Sequence, residues 1–320
     1  MKSFFVSKLY TYDKQKMNLI KAILPLIIII HHIVPYGYRD FKVFNILYSW
    51  GDIVMYIFFA MSGYGLVTSY LKNSEYLNGF LSKSLKKLFI PYFIAMFLFV
   101  VYRYFNDVDQ IDLLLTKGLY SFVPTSWYIY VLSYFYIFFF IIFRYVKANN
   151  LVKVLLVCVL VYGYYLISPP LGIEPWRYNR CPAFCIGMLF ALFNKSILKT
   201  FVRWHIFVVL LCAVTIYPWR WAFAVRIPTF LPLYYSTIFF LVMYVLGSVK
   251  ENRIVKFLSS ISLEMFIIQY IPIYFVVLNL EVSSTLLVVL LVILLDIILA
   301  YSVHQIVKII STHIISTGSK

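Results

Sequence analysis

Runs of about twenty mostly apolar residues recur along the whole chain, as in "TLLVVLLVILLDIILAYSV" at 285–303, and nothing else in the sequence constrains the fold as much. A run of that length suits a helix crossing the hydrocarbon of a bilayer, where every backbone N–H and C=O must be bonded within its own segment. About ten such runs lie near 18–36, 52–71, 88–105, 126–144, 151–168, 181–194, 204–218, 229–248, 262–279 and 282–304. The sixth and seventh are short and flanked by Pro and Trp. With 63% of its 320 residues hydrophobic and only 12% charged, the chain lacks the polar surface of a soluble domain. The expected fold is therefore all-α and polytopic, one membrane domain over 1–320 with about ten transmembrane helices and no extra soluble domain. No internal repeat of the kind found in many transporters is visible. The N-terminal "MKSFFVSKLYTYDKQKMNLI" lacks a short apolar core with a cleavage site, so the first helix is expected to be retained.

A net charge of +16 would point to nucleic acid in a soluble chain. Here its distribution matters more than its size. With the N-terminus inside, 20 of the 28 Lys and Arg residues fall on inner segments, and Arg103, Arg177 and Arg180 are among the eight outside. Short cytoplasmic segments carry the excess of Lys and Arg, so both termini are expected in the cytoplasm. Insertion topology then accounts for the charge, and the expected partners are membrane lipids and not nucleic acid. The four cysteines, Cys158, Cys181, Cys185 and Cys212, lie in apolar runs without metal-ligand spacing, so they are read as small buried residues, with no metal site and no disulfide framework.

The first run, "KAILPLIIIIHHIV", places His31 and His32 at the end of a hydrocarbon stretch. Lys21 and His32 are 11 residues apart, about 16 Å of helical rise and within about 20° of three full turns, so they share one stripe. His31 points about 80° away from that stripe. Pro25 lacks the N–H that would bond the carbonyl of residue 21, so a kink or a freed carbonyl is expected there. The pair reads either as an interfacial polar belt or as a general base near neutrality.

Further segments carry a resemblance. "VMYIFFAMSGYGL" holds Phe58, Phe59, Ser62 and Gly63 as Phe-Phe-x-x-Ser-Gly, and "FLSKSLKKLFIPYF" holds a basic loop before Ile-Pro-Tyr. "SWYIYVLSYFY" contains Trp127 and Tyr128, and "RYNRCPAFCIGMLFA" contains Arg180, Pro182, Phe184, Gly187 and Met188. "SISLEMFIIQYIP" contains Ser262, Leu263 and Glu264 and ends its motif on Gln269. In this order, and with a basic residue, ten residues and then His32 in the first helix, the chain resembles the integral-membrane acyltransferase family 3, whose members O-acylate bacterial surface carbohydrates. It departs from the family in having Lys21 for Arg and Gln269 for His, which leaves the latter position a hydrogen-bonding role but no acid-base one.

The resemblance implies an O-acyltransferase, expected to move acetyl from acyl-CoA in the cytoplasm to a hydroxyl of a surface or lipid-linked polysaccharide sugar at the cell membrane. His32 would be the base, or would accept the acyl group itself, with His31 as support. Lys21 or Arg180 would stabilise charge on the carbonyl oxygen. Acetyl-CoA is donor substrate, and no bound cofactor is implied. Lys83, Lys86 and Lys87 read as a lipid-facing inner cluster or as ligands for donor phosphates. Ser62, Tyr64, Trp127 and Tyr128 are pocket candidates, as are Glu264 and Gln269. Arg177 is either a substrate ligand or the partner of Glu174, three residues away. Asp296, ionisable within an apolar run, is a functional candidate or, as the favoured reading, a structural group paired with a Lys, Arg or Tyr side chain of a neighbouring helix. A flippase or transporter, or a polysaccharide polymerase, is the competing class for a basic, aromatic membrane chain of this size.

Overall fold

A computed structural model of the chain describes residues 14–38, 47–48, 50–106, 123–193, 251–280 and 282–317. Among them only helices and their connections occur. Helix α1 is Lys14–Ile33, α2 Gly51–Lys72, α3 Phe80–Asn106, α4 Ser126–Tyr145 and α5 Asn150–Ile167. The short α6 is Pro175–Tyr178, followed by α7 over 182–193. Then come α8 Arg253–Ser260, α9 Ser262–Ile268, α10 Tyr270–Asn279 and α11 Thr285–Thr317.

Among the described residues, six helical segments are long and apolar enough to cross a membrane: Lys14–Tyr36, Gly51–Lys72, Phe80–Asn106, Ser126–Tyr145, Asn150–Ile167 and Thr285–Thr312. They coincide with six of the expected runs. The run at 262–279 is a broken span, α9 and α10 meeting at 44° across Gln269. Pro272 explains the break, since it has no N–H to return to the carbonyl of Ile268. The Thr125 hydroxyl donates to the carbonyl of Ile267 at 3.1 Å, meeting part of the backbone need at the bend. For the run at 181–194, α7 continues to the last described residue of its stretch, and the runs at 204–218 and 229–248 lie outside the described residues.

Pro25 leaves α1 helical. The helix stops beyond His32 because Pro35 tightens Val34–Tyr36 into a 3₁₀ turn and Gly37 adopts φ 100°, a left-handed cap whose N–H bonds the carbonyl of Val34 at 3.2 Å.

The chain divides into two compact units, Met1–Ile20, Asp52–Phe80 and Ile137–Asn252 in one, and Lys21–Gly51, Leu81–Tyr136 and Arg253–Lys320 in the other. In the first unit α2 and α7 approach backbone to backbone. A Cβ on Gly63 would fall on the carbonyl of Phe184, and one on Gly187 would fall on that of Ala60. Small residues permit such an approach, so these two motif glycines are packing residues. Phe59, Ala60, Phe184 and Met188 are fully buried in the same unit. Further along, the buried Lys153 of α5 donates to the carbonyl of Phe143, 3.3 Å away in the last turn of α4, where the helix dipole favours a cation.

In the second unit, Ile29, Ile30 and Ile33 of α1 join Met265 and Ile268 of α9, Ile273 and Val276 of α10 and Val288, Val292 and Ala300 of α11 in one apolar core. The opposite stripe of α11, Leu286, Leu290, Leu294, Ile298 and Tyr301, is exposed, as befits a lipid-facing surface.

The glycine seam gives a direct test. Gly63→Val or Gly187→Val should lower the folding stability of the detergent-solubilised protein by about 1–3 kcal/mol or abolish its accumulation, because the new carbons overpack a backbone contact. Gly65→Ala, two residues along α2 with nothing within 4 Å of its Cβ position, should leave the melting temperature essentially unchanged.

Candidate functional site

The end of α1 presents both histidines, and their surroundings differ. His32 Nδ1 is 2.8 Å from the hydroxyl of Tyr270, the first residue of α10, with ring centroids 4.7 Å apart. His31 Nδ1 lies 2.5 Å from the carbonyl oxygen of Tyr48, and because a carbonyl only accepts, His31 must carry its proton on Nδ1. Its ring stacks on Tyr48 at 5.0 Å and meets His32 edge-on at 4.8 Å. Gly51 makes room for it, since a Cβ there would lie on the His31 ring. The two histidines are thus held by separate partners, in keeping with the different helix faces expected from their positions.

The ring series continues from Tyr270 to Tyr274 at 5.5 Å, and the Tyr274 hydroxyl is hydrogen bonded with Tyr36 and Arg103. Sequence reasoning missed Tyr48, Tyr270, Tyr274 and Arg103. The signal available for Tyr270 and Tyr274 was their i, i+4 spacing immediately beyond the motif that ends on Gln269.

Gln269 itself does not reach His32. It is fully buried at the break, its amide N–H donates to the carbonyl of Phe266 at 2.8 Å, and its Oε1 has no partner among the described residues. One position along, Tyr270 makes the contact to the imidazole. Glu264 is buried and bonded at 2.7 Å to Nδ1 of His304 on α11, a partner the sequence reading did not name. Asp296, expected to be paired, is fully buried with neither carboxyl oxygen bonded among the described residues.

Lys21 is half-buried and near enough to Lys87 for their charges to interact, while Lys83, Lys86 and Lys87 are exposed on the first turns of α3. Trp127 and Tyr128 are buried at the start of α4, with Tyr128 edge-on to Phe266 at 5.2 Å. All of these belong to the second unit.

Ser62, Tyr64, Arg177 and Arg180 belong to the first unit. The Ser62 hydroxyl donates to the Phe58 carbonyl of its own helix at 2.9 Å, and Tyr64 is buried with its ring 5.8 Å from that of Phe190. Arg177 pairs with Glu174 at 3.0 Å, as their spacing anticipates, and stacks on Trp176 at 4.7 Å. Arg180 is buried, bonded to the carboxylate of Asp52 and to the carbonyl of Trp176, so it ties the start of α2 to the turn before α7. The described cysteines, Cys158, Cys181 and Cys185, are buried free thiols, and Cys212 lies outside the described residues. Among the described residues no group of three or more His, Cys, Asp or Glu could hold a metal ion.

A family model for an acyltransferase domain, that of acyltransferase family 3, matches residues 14–304. The chain belongs to acyltransferase family 3. No curated protein and no solved structure matches it. Six apolar spans among the described residues and membership of this family make the protein a membrane acyltransferase. The match includes the seam glycines, the broken span and the contacts of both histidines, and ends at His304 within α11.

Within this acyltransferase the Glu264–His304 pair is open to a double-mutant cycle. Glu264→Gln and His304→Ala should each lower the folding stability in detergent, by about 3–5 kcal/mol where the surviving partner stays charged and buried. Combining them should cost less than the sum of the single changes, and strictly additive losses would mean that the pair is not coupled.

Proposed function

We propose that this membrane acyltransferase moves an acetyl group from cytoplasmic acyl-CoA to a hydroxyl of a surface or lipid-linked polysaccharide sugar, such as a capsule or exopolysaccharide unit. One catalytic domain over 1–320 is proposed, with ten spans in the cell membrane and both termini in the cytoplasm. The observation that carries the reading is the bond between His32 and Tyr270 at the end of α1 distant from the lysine-rich segments.

With Nδ1–H donating to the Tyr270 oxygen, His32 keeps its lone pair on Nε2, free for a substrate. Nε2 takes the proton of the sugar hydroxyl while that oxygen attacks the thioester carbonyl. The new C–O bond forms, the C–S bond breaks, and the departing thiolate recovers the proton from the imidazolium. His31 supports this geometry through its contact with the His32 ring, and the tyrosines beyond it offer faces on which a sugar ring can stack.

Three turns of helix separate Lys21 from His32, too far for its ammonium to touch the carbonyl attacked there. Its proximity to Lys87 favours a different task. Lys21, Lys83, Lys86 and Lys87 together offer cations to the phosphates of the donor. Trp127, Tyr128 and Gln269 are assigned to the wall of the acyl path, and Glu264 to holding α9 on α11. Arg180, with its charge met by Asp52, is assigned to positioning α2 and α7, while Ser62 and Tyr64 support the same seam. Arg177 remains a ligand candidate at the acceptor side.

The decisive experiment replaces His32 with Ala and follows O-acetyl signals of the cell-surface glycan by NMR. Loss of at least about a hundredfold of the transfer rate is expected, and normal O-acetylation with the variant present in the membrane would overturn the role of His32. Tyr270→Phe should lower kcat about five- to tenfold with little change in KM for the donor, since it removes an orienting bond and no binding group. Lys21→Ala should do the reverse, raising KM for acetyl-CoA with a smaller effect on kcat.

A further inference from the structure

Among the described residues of the second unit, the acceptors of two buried side chains are left without partners, and counting along their helices sets them at one level. Gln269 Oε1 sits at the break between α9 and α10, and both carboxyl oxygens of Asp296 sit about a third of the way along α11. Helix α11 packs against both halves of the broken span and runs antiparallel to them. Counting from the connection between Asn279 and Thr285 sets Gln269 level with residue 295, and counting from the Glu264–His304 bond sets it level with residue 299. Asp296 falls within that interval. It stands on the buried stripe of α11, flanked by Val292 and Ala300 one turn away on either side.

A carboxyl group among Val, Ile and Leu with no donor to meet it opposes folding strongly, and so does an amide oxygen in the same state. A broken span is tolerated at membrane depth where its irregular backbone is buried in protein or lines a cavity. Acceptors left without a donor among the described residues at such a break are where the donors of a bound molecule would be met most favourably. This level adjoins His32, because Tyr270, next to Gln269, touches the His32 ring.

We propose that Asp296 and Gln269 form the subsite for the amide N–H groups of the donor's pantetheine arm, holding it as it passes from the lysine cluster towards His32. This rests on the acyl-CoA reading above and extends it to two residues. An extended arm carrying two amides is narrow enough to lie between helices, and it brings the donors that these acceptors lack.

The test uses the full-length protein in detergent and reads its melting temperature with three probes, acetyl-CoA, S-acetyl-pantetheine and 3′,5′-ADP, the last carrying phosphates without the arm. For the wild type, all three should stabilise. Asp296→Leu should melt higher than the wild type when unliganded, because an orphaned polar group has been replaced by an apolar one. It should respond normally to 3′,5′-ADP and bind S-acetyl-pantetheine about tenfold or more weakly. Asp296→Asn, which keeps an acceptor, should recover most of that loss. If Asp296→Leu binds S-acetyl-pantetheine as well as the wild type does, the subsite is wrong while the donor reading stands. If the wild type responds to none of the three probes, both fall. If Asp296→Leu does not accumulate, Gln269→Leu carries the same comparison, and unchanged binding there overturns the subsite.

Discussion

Inside a bilayer a polar group has only the protein to bond to, and the second unit is organised around how its few polar groups meet that demand. His32 finds the Tyr270 hydroxyl, Glu264 finds His304, and the broken span finds the Thr125 hydroxyl. Each contact joins helices far apart in sequence. They lock α1, α9, α10 and α11 into a register that an apolar core of Ile, Val and Met would otherwise leave free to slide. The Tyr270 contact has the further effect of fixing the orientation of an imidazole, which packing alone seldom does.

The first unit uses a different device. Its helices are brought together by the absence of side chains at Gly63 and Gly187, and by the Arg180–Asp52 pair, which fastens the start of α2. The Phe-Phe-x-x-Ser-Gly and Gly-Met segments that make the chain recognisable as an acyltransferase are to this extent motifs of packing. Within them the Ser62 hydroxyl donates to the Phe58 carbonyl of its own helix, and Gly63 contributes only the space its missing side chain leaves.

The helical architecture was legible because the bilayer imposes one length on every crossing segment, and the runs at 52–71, 126–144 and 151–168 ended within a residue or two of α2, α4 and α5. The run at 262–279 was read as a single span, although Pro272 within it was the visible cause of the break. The separation of His31 from His32 followed from 3.6 residues per turn alone. Their partners did not. Tyr48, Tyr270 and His304 are brought to Glu264 and the histidine pair by tertiary folding, and in a chain with 29 tyrosines composition gives no means of choosing among them. The orphaned state of Asp296 was equally invisible, because a lone carboxyl in an apolar run looks the same in sequence whether or not it is paired.

Helix α11 has one more consequence. Its 33 residues extend about 50 Å, well beyond the roughly 30 Å of hydrocarbon that a bilayer offers, while its apolar run at 285–303 alone matches that thickness. His304 is the first residue past that run, and the segment apolar enough to cross a membrane continues to Thr312. Its bond to Glu264 fastens α9 to α11 beyond the purely apolar stretch, so α9 cannot slide along the long helix without breaking a polar contact at 2.7 Å.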